Sequence, residues 1–162
     1  MNKEALLRMT IEKFRKEQHE MEKRLETVRQ AAIDAPGAMQ SHSDTTKSQM
    51  SRLAEEMAGS IVKKRETIRA LESFSLERYE QSTDKVQVGS LVEVESQGDE
   101  LERYIILPGG AGLELEDEDG INVLAVSPDS PLAGVLLGRR KGSQIKFQVG
   151  QKIRELKIMN ID

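Results

Sequence analysis

The sequence predicts an α+β fold, with an N-terminal antiparallel helical hairpin (a coiled coil) followed by a small sheet-and-helix domain. Three observations lead to this prediction. Apolar residues in the first half recur at steps of three and four, a Pro-Gly pair interrupts that pattern once, and the second half changes to short, Val-rich alternating runs. Steps of three and four keep one apolar stripe on a helix, whereas alternation turns every second side chain toward one face of a strand.

The first helix is predicted over about residues 3–33 and the second over about 45–74. Each has one polar residue within its apolar series, Gln18 in the first and Lys64 in the second. At 1.5 Å per residue each helix is roughly 45 Å long, and equal lengths suit an antiparallel pair within one chain. The two apolar series are Leu7, Ile11, Phe14, Met21, Leu25, Val28 and Ala32, then Met50, Leu53, Met57, Ile61, Ile68 and Leu71.

The segment between the two helices cannot continue either of them. Pro36 lacks an amide donor and Gly37 frees the backbone. Ser43 and Asp44 have the side chains of helix N-caps. The sequence therefore predicts a hairpin over 1–75 with its tip at about 34–46, a linker over 76–85 and a C-terminal domain over 86–162.

Six strands and one short helix are predicted in the C-terminal domain. The helix carries proline near its start and glycine at its end, which is the usual asymmetry. The strands are predicted at 86–95, 100–107, 112–117, 121–126, 144–150 and 152–161, and the helix at 128–138.

The bulk composition excludes several classes of protein. Both signs of charge are interleaved at a net charge of −4, which disfavours a chain that itself grips nucleic acid through phosphates. The absence of cysteine excludes disulfides and thiolate metal sites and fits a cytoplasmic protein. No apolar run approaches the roughly 20 residues of a membrane span, so no membrane association is predicted.

Few residues suggest chemistry of their own. His19 and His42 lie far apart and are interpreted as solvated side chains. No nucleophile–base pair is visible, so the chain is not predicted to be an enzyme. The glycines at 109, 110 and 112 lack the lysine and helix of a phosphate loop, and a tight turn is expected.

Two charged clusters keep alternative interpretations. The acidic residues are either a solvated strand edge and turn or a site for a divalent cation or a basic partner. The basic cluster Arg139, Arg140 and Lys141 either offsets the dipole of the short helix or docks an acidic protein surface or a phosphate. The acidic residues are Glu114, Glu116, Asp117, Glu118 and Asp119.

Three segments of the C-terminal half carry a family resemblance. They are VQVGSLVEVE (86–95), ERYIIL (102–107) and INVLAVSPDSPLAGVLLGRRKGSQIKF (121–147). Together they resemble the Gre-type transcription elongation factors of bacteria over about residues 86–161, while the hairpin is similar in layout. The sharpest match is Ser130-Pro131-Leu132 with Leu136-Leu137-Gly138 and Gly142. The resemblance implies an FKBP-like C-terminal fold.

The resemblance also implies a partner and a mode of action. A monomer would bind RNA polymerase through its C-terminal domain and insert the hairpin into the secondary channel, with indirect contact to nascent RNA. It would have no cofactor of its own beyond magnesium shared with the polymerase. The implied docking residues are Ser127, Pro128, Ser130, Pro131, Leu132, Arg139 and Arg140. The residues implied near the polymerase active site are Asp34, Ser43, Asp44 and Lys47.

The tip departs from the pattern of the family's cleavage factors, which carry an Asp-Leu-Ser-Glu-Asn type of stretch. Asp44 is the candidate magnesium ligand, but Lys47 stands where a second carboxylate is wanted. A cation there opposes binding of a second magnesium ion, so a modulator that does not stimulate RNA cleavage is favoured. Asp34 and Asp44 are otherwise helix caps. Two further alternatives are a structural module that pairs between chains and an FKBP-like prolyl isomerase or chaperone.

Overall fold

The structure, a computed structural model, describes residues 2–35, 43–75, 84–96, 100–110, 112–117, 119–150 and 152–162. It confirms the predicted fold class, with two long helices followed by a six-stranded sheet and a short helix. The chain divides into two compact units. The sheet unit comprises Met1–Ile11 and Ala70–Asp162, and the helical unit comprises Glu12–Arg69.

The long helices begin and end close to their predicted bounds. Helix α1 spans Lys3–Asp34 and α2 spans Ser43–Glu72. The prediction that α2 starts near Thr45 was two residues late, since Ser43 and Asp44 belong to its first turn. An acidic residue there is favoured by the helix macrodipole. Within the described parts of the chain, no helix combines the length and apolar content that crossing a bilayer requires.

The predicted apolar series forms the interior of the helical unit only in part. Phe14, Leu25, Ile61 and Ile68 are buried, but Leu53 remains 43% exposed. Between these residues the two helices are joined by polar pairs. The ammonium of Lys64 lies 2.7 Å from a carboxylate oxygen of Glu17 and 4.1 Å from the centre of the Phe14 ring. Lys64 therefore links α2 to α1 through an ion pair with Glu17 and a cation–π contact with Phe14.

A second polar pair lies beside the first. Glu22 Oε1 accepts hydrogen bonds from Arg65 Nη2 at 2.6 Å and from Gln18 Nε2 at 2.8 Å. These bonds, that from Arg65 first, lower the pKa of Glu22 from its usual 4.5. Both polar members of the heptad series, Gln18 and Lys64, thus take part in side-chain bonds that link or brace the helices.

The six strands form one sheet in the order β3-β4-β2-β1-β6-β5. All neighbouring strands are antiparallel except β2 and β4, which are parallel. The strands are β1 (Leu91–Ser96), β2 (Leu101–Ile106), β3 (Leu113–Glu116), β4 (Asn122–Val126), β5 (Gln144–Val149) and β6 (Lys152–Ile161), and helix α3 (Pro131–Leu136) lies between β4 and β5 in the chain.

The predicted start of β1 at residue 86 was wrong. Gly89 adopts a positive φ of 91°, and the amide of Ser90 donates to the carbonyl of Gln87 to close a turn. Left-handed backbone of this kind interrupts a strand and is natural for glycine. Val86 instead pairs with Arg139 and Gly138 through backbone hydrogen bonds of 2.8 Å. Of the predicted linker, 76–83 lies outside the described residues, and Lys85 forms an isolated β-bridge with Arg140.

Alternate residues of the central strands are buried on both faces of the sheet. One face contributes to a cluster that includes Ala133 and Leu136 of α3. The other face carries Leu91, Ile105, Leu107, Leu115, Val123 and Ala125, all buried. The cluster on the α3 face comprises Val86, Val92, Val94, Tyr104, Ile106, Val126, Ala133, Leu136, Ile145, Leu156 and Ile158.

Two further residues of the sheet unit were not predicted to be buried. Leu6 and Thr10 of α1 are almost fully buried, although neither belongs to the heptad series. The Thr10 hydroxyl donates to the Leu6 carbonyl at 2.8 Å, which satisfies it within the helix. The first turns of α1 therefore have neighbours on a side that the heptad analysis left to solvent.

Candidate functional site

The helix ends that flank the predicted tip carry the first group of candidate residues. Asp34 is the last residue of α1 and is exposed, and its Oδ1 accepts a hydrogen bond of 2.9 Å from Gln30 Nε2. Lys47 of α2 is exposed. Ser43 and Asp44 begin α2, so positions 44 and 47 are one helical turn apart on the same face. Residues 36–42 of the predicted tip, including His42, lie outside the described residues.

The described residues do not bring together the ligands of a metal site. No group of three or more His, Cys, Asp or Glu side chains with metal-binding geometry occurs among them. His19 is exposed on α1. Asp117 is used by its own turn, because its Oδ1 accepts from the amides of Asp119 and Ile121 at 2.9 and 2.8 Å. The described members of the acidic run thus match the strand-edge and turn interpretation, and Glu118 lies outside the described residues.

The candidate docking residues before α3 form a tight structural unit. The amide of Ser130 donates to the carbonyl of Ser127 at 3.0 Å, which closes a turn around Pro128. Ser130 is the N-cap of α3, with its Oγ accepting from the amide of Ala133 at 3.1 Å. Pro131 occupies the first helical turn and is exposed, as is favoured for a residue without an amide donor.

The same segment has both packing and exposed roles. Leu132 is half-buried and packs against the core, so it contributes to folding as well as to any surface. Arg139 and Arg140 follow α3 and are exposed. The predicted helix start near Pro128 was early, because the cap at Ser130 sets the first turn. The structure therefore places all seven docking candidates within one continuous stretch around α3.

The glycines at 109, 110 and 112 form a turn between β2 and β3, as predicted. The amide of Gly110 donates to the carbonyl of Leu107 at 3.0 Å. A Cβ built on Gly110 would lie 2.6 Å from the carbonyl carbon of Val126. Only glycine allows the chain to pass this close to β4.

One cluster of polar residues was missed by sequence reasoning. Glu102 on β2 accepts hydrogen bonds from the phenol of Tyr104 and from the guanidinium of Arg154 on β6. Burial, followed by the hydrogen bond to Glu102, raises the pKa of Tyr104. Glu102 and Arg154 are 52 positions apart in the chain, and no local pattern announces such a pair.

A shallow cleft of about 270 Å³ lies beside this cluster on the sheet. Its lining residues include two glutamates, one arginine, one tyrosine, one asparagine and three aliphatic residues, without a convergent set of catalytic groups. The lining residues are Leu101, Glu102, Arg103, Tyr104, Glu114, Asn122, Val123 and Leu124.

Comparison with known proteins identifies a family. Residues 81–162 match the family model for the C-terminal domain of the transcription elongation factors GreA and GreB. No protein of curated function matches the sequence significantly.

Several solved structures are similar at low identity. GreA factor homolog 1 of Thermus thermophilus shares 17% identity, with 94% of each chain covered and a TM-score of 0.39. The homologous factor of Thermus aquaticus shares 18%, with 93% of this chain and 92% of that chain covered and a TM-score of 0.41. A GreA/GreB factor of Nitrosomonas europaea shares 15%, with 60% and 78% covered and a TM-score of 0.38. Similarity at this level adds nothing to the family match.

Proposed function

The chain belongs to the GreA/GreB family of transcription elongation factors, and from this premise we propose that it inserts its helical hairpin into the secondary channel of RNA polymerase and modulates elongation there without stimulating transcript cleavage. Factors of this family are not enzymes themselves and act through the polymerase. The observation that carries the proposal is the family match over 81–162, which spans the whole sheet and α3.

The helices supply the reach that the proposal needs. With 32 and 30 residues, α1 and α2 are roughly 48 and 45 Å long at 1.5 Å per residue. The pairs between Lys64 and Glu17 and between Arg65 and Glu22 tie one helix to the other. In our proposal these two helices extend from a monomer in the cytoplasm toward the polymerase active site, and contact with nascent RNA is indirect.

The chemistry around the helix ends supports modulation rather than cleavage. Stimulated cleavage depends on carboxylates that hold a second magnesium ion beside the polymerase's own. Lys47 lies one turn after position 44, and its ammonium repels a divalent cation. Asp44 remains the candidate ligand for magnesium shared with the polymerase, and in this proposal it lacks the second carboxylate that stimulated cleavage needs.

The C-terminal part serves docking in this proposal. Pro131, Arg139 and Arg140 offer exposed side chains around α3, while Ser130 and Leu132 fix the shape of the segment. In this proposal the C-terminal domain has an FKBP-like fold but no prolyl isomerase activity. A proline slot needs several aromatic side chains, whereas the described sheet residues offer Tyr104, whose phenol is bonded to Glu102, and Phe147, which packs on the core.

Backtracked elongation complexes test the proposal directly. Purified protein is expected to bind core polymerase, to leave the length of the backtracked RNA unchanged and to slow its extension by nucleotides. The variant Lys47→Glu places a carboxylate one turn from Asp44 and is expected to produce shortened RNA. The matched control is Lys63→Glu, an exposed lysine of the same helix with the same change in charge.

Two results would overturn the proposal. If the unchanged protein shortens the RNA, and Asp44→Ala abolishes that activity, the chain is a cleavage factor despite Lys47. If full-length protein fails to retain core polymerase in a pull-down, the chain does not act through the polymerase.

A further inference from the structure

The loop after α3 carries three consecutive cations, Arg139, Arg140 and Lys141, which we name the basic turn. All three residues are exposed. The ammonium of Lys141 donates to Asn160 Oδ1 at 3.3 Å. Within the described ranges, the guanidinium groups of Arg139 and Arg140 have no ion-pair partner. The sheet unit therefore presents concentrated positive charge on a chain whose net charge is −4.

The basic turn is held rigidly by its backbone. The amide of Val86 donates to the carbonyl of Arg139 at 2.8 Å, and Lys85 and Arg140 form a β-bridge. The amide of Ser143 donates to the carbonyl of Arg140 at 3.0 Å, and that of Gly142 donates to Ile158 at 2.8 Å. A ligand would thus meet cations whose main chain is already ordered, which lowers the entropy lost on binding.

Other arginines of the sheet unit already have carboxylate partners. Arg103 binds Glu93 at 2.7 Å, and Arg154 binds Glu102. Both pairs are partly shielded from solvent. Arg139 and Arg140 have the same planar, five-donor head groups, which match a carboxylate in two-point contact. A carboxylate is therefore a ligand that suits these two head groups.

A phosphate ligand fits the basic turn less well. The amides of Arg140, Gly142 and Ser143 donate within the unit, so they are not available to cradle a phosphate. Nucleic acid needs an extended basic track, whereas the basic turn is a compact group of three consecutive residues. A short acidic segment fits a compact cluster of this kind.

We propose that the basic turn binds a carboxylate-rich protein segment, with Arg139 and Arg140 as its principal contacts. This inference rests on the proposed function for the identity of the partner, RNA polymerase, and adds the chemistry of the contact. It makes the loop after α3, rather than α3 alone, the element that selects the docking surface. Arginine pairs of this type chiefly raise the rate of association and fix orientation.

The test compares two charge reversals in the full-length protein. Arg139→Glu/Arg140→Glu is expected to weaken binding to core polymerase by at least about tenfold. Lys146→Glu/Lys157→Glu makes the same change in net charge on β5 and β6 and is expected to weaken it by less than about twofold. Arg139→Lys/Arg140→Lys keeps the charge, loses the planar fork and should lie between them. Circular dichroism should show all variants folded.

Two ligand arms separate this inference from the proposed function. Labelled full-length protein is titrated with a peptide of alternating glutamate and serine and with an oligouridylate of equal charge. The peptide is expected to shift the amide signals of 138–143, and Arg139→Glu/Arg140→Glu should abolish those shifts. If the unchanged protein does not bind polymerase but the peptide shifts appear, the proposed function fails and the acidic preference stands.

Several outcomes would overturn the inference. The first is that polymerase binds the unchanged protein and Arg139→Glu/Arg140→Glu equally well. The second is that both charge reversals weaken binding equally, which would reflect net charge alone. The third is that the oligouridylate binds the basic turn more tightly than the peptide, or that the peptide leaves 138–143 unperturbed.

Discussion

In the sheet unit buried side chains line both faces of the sheet, whereas in the described part of the helical unit the buried side chains are few and polar pairs lie between them. Ile106 and Leu136 are 0% exposed in the sheet unit. In the helical unit the buried residues Phe14 and Ile61 are accompanied by Lys64 with Glu17. Close packing of apolar side chains thus stabilises the sheet unit, while a heptad stripe and charge pairs stabilise the helical unit. Substitutions in the two units should therefore change the free energy of unfolding by different amounts.

The largest difference is expected from truncating an aliphatic side chain in each unit. Ile106→Ala removes buried methyl groups from the centre of β2 and should lower the free energy of unfolding by about 2–5 kcal/mol. Leu53→Ala removes a side chain that is 43% exposed on α2 and should lower it by less than about 1 kcal/mol. Both changes in the free energy of unfolding can be measured by urea unfolding, with amide hydrogen exchange reporting on each unit separately. Equal losses would show that the helical unit is packed as tightly as the sheet.

Alanine substitutions at Gly110 and at Gly59 should change the free energy of unfolding in opposite directions. Gly110→Ala brings a Cβ to within 2.8 Å of three backbone atoms of Val126, and overpacking should destabilise the sheet unit by about 1–3 kcal/mol. Gly59→Ala on α2 meets nothing within 4 Å and should stabilise its helix by about 0.5–1 kcal/mol. Gly134→Ala in α3, also unobstructed, is the control within the sheet unit. Destabilisation by Gly59→Ala would mean that α2 needs a flexible point there.

The charge pair of the helical unit should contribute a smaller amount. Lys64→Ala removes the contacts with Glu17 and the Phe14 ring, and the loss should be about 0.5–1.5 kcal/mol because the pair is partly solvated. A double-mutant cycle with Glu17→Ala isolates the coupling between the two charges. Lys63→Ala, one residue away and exposed, is the matched control. A coupling energy of zero would leave the pairing of the helices to their apolar residues alone.

The smallest effect concerns pH. Because the pKa of Glu22 lies below 4.5 in the folded protein, its ionised form stabilises the helical unit at pH values above 4.5. That contribution is lost as the pH falls below 4.5 through the folded-state pKa. Thermal unfolding of Glu22→Gln should therefore show lower stability than the unchanged protein at neutral pH and no difference in acid. A difference that persists in acid would assign the effect to the shape of the side chain.

Local features of the fold could be predicted from the sequence. Heptad spacing predicted both ends of α1 and of α2 to within two residues. Alternation located all six strands, and the Pro and Gly residues around α3 indicated a helix there. Each of these signals acts over a few residues, which is why the sequence alone reveals it.

Long-range features could not be predicted in this way. The parallel pairing of β2 with β4, the burial of Leu6 and Thr10 and the bond between Glu102 and Arg154 all depend on residues that are distant in the chain. At the candidate site, the sequence indicated the residues around α3. It did not show that Ser130 caps the helix while Arg139 is exposed, because these roles depend on the folded structure.

The position of β1 in the sheet has a consequence for synthesis of the chain. β1 is the first strand to leave the ribosome, and one of its two neighbours in the sheet is β2, the next strand along the chain. Its other neighbour is β6, which is the last strand to be made. Until β6 has emerged, one edge of β1 has no native partner and stays open to wrong pairings. Both long helices are synthesised before any strand, and pairs such as Lys64 with Glu17 can form between them at that stage. The nascent protein thus acquires its helices early and seals its sheet last.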